Sequence, residues 1–194
     1  ASREPNRSIV LERNPYYRGN RPHHLAEIRI TVGTNQAQSL LQVKKGEADY
    51  DVSGIPPGAQ AQLAQEFGVN KGRYFVHPGM NVTYVALNMS RGLFKDATMR
   101  KAANFALDRT AVIKQGGYLA GTPTDQILPP TMRGFKNGKV YPTDHPDVAR
   151  GKQLAGPGGK AVLYTDNSPI STSQSEVVQA NMKQIGIDLG LRGR

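Results

Sequence analysis

The stretch Asn81–Arg109 reads NVTYVALNMSRGLFKDATMRKAANFALDR. Val82, Tyr84 and Ala86 alternate with Thr83, Val85 and Leu87, so the run is apolar on both sides, the pattern of a buried strand ending at Asn88. Asp96 stands two residues before Thr98-Met99, where its carboxylate can accept from the orphan amides of a helix start. Met99, Ala102, Ala103, Ala106 and Leu107 then recur at i, i+3, i+4, i+7 and i+8, which is one apolar face of a helix. Arg100, Lys101 and Asn104 fall on the opposite face. These residues predict a helix of small side chains lying close against a sheet, and no chemistry.

Outward from this run the chain alternates strand and helix patterns. Glu27–Val32 predicts a strand, and Thr34 or Asn35 caps a helix carrying Ala37, Leu40 and Leu41 that Gly46 ends. Ala48–Val52 is expected as the next strand. After the break at Pro56-Pro57-Gly58, a helix runs Ala59–Phe67 and closes at Gly68. Arg73–His77 and Asn81–Asn88 are expected as strands around a Pro78-Gly79 turn.

Asp108 caps a short helix through Val112 and Ile113, ended by Gly116-Gly117. Residues 116–146 are rich in Gly, Pro, Asp and Thr without periodicity, and an irregular segment of that length is usually functional or mobile. A helix Asp147–Leu154 follows, stopped by Gly156-Pro-Gly-Gly159, then a strand Ala161–Thr165. Ser173 and Glu176 predict a capping box for a helix to Ile185, with Gly186 at its end. With Ile187–Leu191 this makes a βαβ unit, right-handed by the general rule. The expected class is α/β, a mixed sheet flanked by helices.

Composition narrows the function. The chain has 194 residues, enough for one large domain that buries roughly 70% of its unfolded surface. It has no Cys, which removes disulfides and thiolate chemistry. No run approaches the roughly 20 apolar residues of a membrane span. The net charge of +10 raises nucleic acid or an anionic surface as partners. The Arg and Lys residues are scattered, from Arg3 and Arg7 to Lys136 and Lys139, rather than banked on one helix. No aromatic RNA-binding signature and no zinc-finger spacing accompany them, so a solvated basic surface is the expectation.

Signals for chemistry are weak. Gly151–Pro157 and Gly158–Ala161 hint at a phosphate loop, but Pro157 stands where Lys is needed, and Ala161 where Ser or Thr is needed. A turn between helix and strand is the reading. His23-His24, Asp144-His145 with Asp147, and Asp49 with Asp51 lack a third metal ligand at helical spacing. No Gly-x-Ser-x-Gly motif, catalytic carboxylate pair or His-based nucleophile can be picked out, so an enzyme is not expected. Asp49 and Asp108 sit at element boundaries, where capping or an ion pair with Arg100 or Arg109 is the ordinary role. Asn14-Pro15 begins a turn, with Tyr16 and Tyr17 expected to pack.

Taken in order, several motifs resemble the family 5 extracellular solute-binding proteins of ABC transporters, the oligopeptide, dipeptide and nickel-binding type. Tyr84-Val-Ala-Leu-Asn88, Phe94-Lys-Asp96, Met99-Arg100-Lys101-Ala102 and Ala106-Leu107-Asp108-Arg109 are similar to the family's strand–Asn, Pro-Phe-x-Asp, Val-Arg-Gln-Ala and Ala-x-Asp-Arg run. Arg13-Asn14-Pro15-Tyr16-Tyr17 resembles Arg-Asn-Pro-x-Tyr-Trp, with Tyr17 where Trp is usual. Gly46-Glu47-Ala48-Asp49 and Ile185-Gly186-Ile187 agree with two further motifs, and Met99 stands where Val is usual.

The resemblance implies one lobe of a two-lobed periplasmic-binding-protein fold of type II. Residues 1–22 would be the crossover segment from the first lobe and 23–194 the α/β second lobe. Both termini then read as boundaries inside a longer polypeptide, whose signal sequence or lipid anchor lies elsewhere. The implied function is reversible capture of a peptide in an interlobe cleft, and delivery to ABC permease subunits outside the cytoplasm. No cofactor, no metal, no nucleic acid and a monomer are expected, with the membrane reached only through an N-terminal anchor. Nickel chelate, oligosaccharide or opine are the alternative ligands, and a basic nucleic-acid-binding module is the alternative class. The loop Gln115–Thr124 and the segment Pro129–Phe135 should face the cleft. Tyr84, Gln115, Tyr118, Pro123, Thr124 and Arg133 are the candidate ligand contacts, Arg133 for a ligand carboxylate.

Overall fold

The computed structural model describes residues 1–22, 24–90 and 92–193. The chain forms two compact units, Ala1–Pro56 and Pro57–Arg194. In the first, β1 (Ser2–Glu4), β2 (Ser8–Glu12) and β3 (Glu27–Thr31) form an antiparallel sheet in that order. Ser8–Glu12 pairs residue by residue with Thr31–Glu27. Helix α1 (Gln36–Lys45) begins at Asn35, whose side chain accepts from the Gln38 amide while the Gln38 side chain returns the bond. It ends at Gly46 with φ 76°, a conformation that glycine adopts without Cβ strain.

The second unit opens with a 3₁₀ turn, Pro57–Ala59, and α2 (Gln60–Phe67). A second 3₁₀ turn, Leu93–Lys95, leads into α3 (Ala97–Ala106), capped by Asp96 on the Thr98 amide at 2.7 Å. Helix α4 (Arg109–Lys114) is capped by Asp108 on the Ala111 amide at 2.8 Å. After a long irregular segment come α5 (Val148–Ala155), β4 (Gly159–Thr165), α6 (Pro169–Gln184) and β5 (Ile187–Gly193). The two strands pair in parallel across α6, the βαβ unit that the sequence predicts. Strand pairing of both senses is thus present, antiparallel in the first unit and parallel in the second.

The core lies where α3, α5 and α6 meet β4 and β5. Met99, Ala102, Ala103 and Ala106 are buried, as their helical spacing requires, with Ala155, Val178, Met182, Ile185, Ile187 and Leu189 against them. Ile185 and Ile187 are fully enclosed. Burial of side chains this size stabilises by about 1.5–3 kcal/mol each. The buried Asn181 of α6 accepts the Asp108 amide at 2.9 Å, so the α3–α4 junction is tied to the crossover helix. Asp147 donates its amide to the Phe105 carbonyl at 2.8 Å and brings α5 back onto α3.

Several expectations are corrected. Residues 48–52, 73–77 and 81–88 form no strands, because a strand needs a partner ladder and among the described residues none pairs with them; side chains bond the backbone at or just beyond their ends. Asp51 Oδ1 accepts from the Ser53 amide and hydroxyl. The Asn70 side chain both accepts from the Val76 amide and donates to its carbonyl. Asn88 Oδ1 accepts from the amide and hydroxyl of Ser90. Among the described residues no ladder joins 73–77 to 81–88, so the expected hairpin around Pro78-Gly79 does not form, and Tyr74 makes only an isolated bridge to Val69.

Strands β1 and β2 were not anticipated, being short and carrying charges on their exposed ends. Helix α6 starts four residues before the expected Ser173, capped by Ser168 with Pro169 in the first turn, where its missing N–H is no loss. In α1 the buried residue is Ser39, not the expected Ala37, Leu40 and Leu41 face. Its hydroxyl lies 3.0 Å from that of Thr34, while Leu40 is half-buried and Ala37 and Leu41 are exposed. Tyr16 is 84% exposed rather than packed, although the turn at Asn14-Pro15 forms as expected.

Candidate functional site

The irregular segment between α4 and α5 is held by a small set of polar side chains. At its start, Gln60 of α2 donates through Nε2 to the Gly116 carbonyl at 3.2 Å and accepts the Leu119 amide at 3.1 Å. Further on, Arg109 reaches both limbs of the loop. Its Nε donates to the Thr124 carbonyl at 3.1 Å and its Nη1 to the Pro142 carbonyl at 3.0 Å. The same guanidinium holds Asn104 through carbonyl and side chain, both at 3.0 Å, and reaches the Leu107 carbonyl at 3.5 Å.

Asp125 closes the loop from the other side. Its Oδ2 accepts the amides of Val140 and Tyr141, and its Oδ1 accepts from Gln126. Tyr141 in turn meets Phe105 of α3 edge to face, centroids 5.2 Å apart. The tip is fastened separately, Thr131 Oγ1 donating to the Gly79 carbonyl at 3.0 Å. The electrostatics follow. Burial pushes the Arg109 pKa below its ordinary value, and the nearby Asp125 charge opposes that shift. Desolvation pushes Asp125 up, but the hydrogen bonds from Gln126, Tyr141 and Val140 outweigh it and hold its carboxyl below the usual range.

Five of the six candidate contacts lie at the end of α4 or along this loop, and Tyr84 lies before α3. Gln115 ends α4 and its side chain donates back to the Ala111 carbonyl at 3.2 Å. Tyr118 projects from the turn gripped by Gln60 and is 65% exposed. Pro123 and Thr124 are half-buried beside Arg109, and the Thr124 hydroxyl accepts the Gln126 amide at 3.1 Å. Arg133 is exposed near the tip. Tyr84, 68% exposed, lies on the extended segment that Thr131 holds at Gly79. Among the described residues, no hydrogen bond joins any of these six to another of them. Met80, Ile127, Leu128, Met132 and Val140 are exposed apolar neighbours in sequence on the same two segments.

Sequence reasoning missed the organisers, Arg109, Asp125 and Gln60. Arg109 was visible only as a cap-adjacent cation, and nothing in the spacing of 109, 124 and 142 marks their junction. Asp108 is the cap expected of it. The glycines after α5 form a turn, as read: Gly151 is buried within the helix, and Gly158 packs on the Gly186 backbone. His23 lies outside the described residues, and among those described no three His, Asp or Glu side chains gather as metal ligands. A shallow cleft of about 320 Å³ in the first unit, lined by Glu4, Asn6, Arg7, Ser8, Thr31 and Val32, holds only an exposed Arg7–Glu4 pair at 3.5 Å.

Comparison with known proteins gives the family and the fold. The chain belongs to the bacterial extracellular solute-binding proteins, family 5, whose middle-region model matches residues 1–194. It is 26% identical over 184 residues to a probable D,D-dipeptide-binding periplasmic protein of Escherichia coli K12, covering 92% of this chain and 34% of that one. It is 30% identical over 191 residues to heme-binding protein A of Haemophilus influenzae, covering 89% and 32%. A solved structure, clavulanic acid biosynthesis oligopeptide binding protein 2, superposes with a TM-score of 0.79 at 20% identity over 100% of this chain and 38% of that one. The fold is that of one lobe of a type II periplasmic binding protein. The chain spans about a third of the length of the curated relatives it matches.

Proposed function

We propose that this lobe supplies one wall of a solute-binding cleft, and that the solute is a short peptide delivered to the permease of an ABC importer. The observation that carries the reading is the loop at 115–142. It has no helix or strand, yet polar clasps at its start, base and tip fix it, and it displays Tyr118, Ile127, Met132 and Arg133. A fixed, irregular, partly apolar surface with a few polar anchors is what a broad-selectivity ligand site requires. Two of the relatives above are named for binding a dipeptide or an oligopeptide.

In this reading Tyr84, Gln115, Tyr118, Pro123, Thr124 and Arg133 face the ligand, and Arg133 meets its carboxylate. Residues 1–22 form the crossover from the other lobe, and residues 23–194 form this one. Hinge closure of the two lobes buries the solute, which stabilises the closed state by touching both. The protein works outside the cytoplasm, as a monomer, and catalyses nothing.

The test is an amide correlation spectrum of the chain, recorded alone and with an equimolar pool of di-, tri- and tetra-alanine. Shifts confined to 115–135 and Tyr84 support a peptide wall. A spectrum indifferent to the pool, but moved by duplex DNA only at low salt, would replace it with non-specific charge, since phosphate neutralisation makes affinity fall steeply with salt.

A further inference from the structure

We propose that Arg109 is the positioning residue of the ligand-facing loop: it and Asp125 lock the two limbs at the loop's base and so set where the segment 126–139 stands. This rests on the reading that the loop faces ligand, but the geometry that carries it stands without one. Arg109 comes from the first turn of α4, whose place is fixed by the Asp108 cap and by Asn181. From there the guanidinium bonds Thr124, 15 residues along the chain, and Pro142, 33 residues along. Its remaining bonds go to Asn104 and Leu107 at the end of α3, so one planar group joins the helical core to both limbs.

Each limb is then joined to the other. Asp125 follows Thr124 directly, and accepts from Val140 and Tyr141, which directly precede Pro142. Between these fastenings lie Ile127, Leu128, Met132 and Arg133, the exposed side chains that the site offers.

The chemistry is specific to arginine. A guanidinium presents N–H donors in a rigid planar fork, and here the fork serves acceptors from four residues in different directions. The ammonium of lysine is a compact point charge with three donors and cannot span them. Arg109→Lys therefore keeps the charge while releasing the limbs. A residue that served global stability alone would respond differently, because its loss would be felt throughout the unit.

The experiment is residue-resolved amide hydrogen exchange on the whole chain, comparing wild type, Arg109→Lys and Asp125→Ala. In Arg109→Lys, the amides of Gln126, Val140 and Tyr141 should exchange about tenfold to a hundredfold faster, the scale of losing hydrogen bonds to a charged group. Amides of Ala103 and Ala106 in α3, and of Val178 and Met182 in α6, should keep their wild-type rates. The ring-current shift that Phe105 imposes on the Tyr141 ring should collapse with the clasp. Asp125→Ala, the gentler change, should free Val140 and Tyr141 while sparing the helices. Wild-type exchange in the limbs of Arg109→Lys, or an even rise through limbs and helices in both variants, overturns the proposal. Exchange needs no peptide, so a clasp that passes beside a spectrum indifferent to peptide would retire the peptide reading alone.

Discussion

Gly151 of α5 lies so close to Ala106 of α3 that a β-carbon at position 151 would stand 3.1 Å from the Ala106 methyl. The same carbon would be 3.1 Å from the Ala102 carbonyl and from the Ile185 side chain. Two opposing effects meet in Gly151→Ala. Alanine gains about 1 kcal/mol of helix propensity over glycine. Overpacking a filled site costs about 1–3 kcal/mol, and here one of the three obstacles is backbone that cannot rotate away. Net destabilisation of about 1 kcal/mol is expected, read as a lower urea midpoint at unchanged slope.

Ile185 and Ile187 flank the turn between α6 and β5, and neither reaches solvent. Truncating either to alanine should destabilise the second unit by about 2–5 kcal/mol, from lost burial plus the cavity left behind. Urea unfolding followed by circular dichroism checks this. A loss under about 1 kcal/mol would mean that the surrounding helices collapse into the space.

Asn181→Leu removes the acceptor of the Asp108 amide and leaves that donor facing an apolar side chain. The unsatisfied group costs about 1–3 kcal/mol. Asp108→Ala, which removes only the cap on the Ala111 amide, should cost about 1 kcal/mol. Measuring both variants and their double mutant would show whether the two bonds at this junction act independently.

The Asp125 carboxyl titrates below its ordinary value in the folded chain. Its stabilising contribution is therefore fully present above the ordinary carboxylate range, and is lost as the pH falls through the depressed folded value. Asp166, lowered by its bonds with Ser168 and Ser171 at the start of α6, has the same sign. Wild type should thus exceed Asp125→Ala in stability at neutral pH, with the gap closing on acidification. A gap of constant size down to strongly acidic pH would show that Asp125 contributes by shape rather than by charge.

How much of this was legible in sequence depended on whether a residue's partners were local. The caps at Asn35, Asp96 and Asp108 and the core face Met99–Ala106 follow from contacts within a turn or two, and the structure has them as read. The βαβ unit was equally plain, since strand and helix periods switch cleanly there. The apolar run 82–87 misled because alternation reports what a strand would bury, not whether a ladder exists to receive it. Nor could spacing have revealed Arg109, whose acceptors are mostly main-chain carbonyls and carry no side-chain signature. Of the six candidate contacts, four, Tyr118, Pro123, Thr124 and Arg133, fall within 116–146, the stretch that the loss of periodicity marked out.

The division at Pro56–Pro57 bears on how any melting curve is recorded. Among the described residues of the first unit, Ser39 alone is buried, while the second unit holds the whole apolar core. Two bodies so unequal need not lose structure in one cooperative step, and a single midpoint would then describe neither. The chain has no tryptophan, so its intrinsic emission comes from tyrosine. Tyr16, Tyr17 and Tyr50 belong to the first unit and the remaining tyrosines to the second, which makes bulk fluorescence a blend of both. Tyr74 is the buried one, and its ring resonances report the larger body without that mixture.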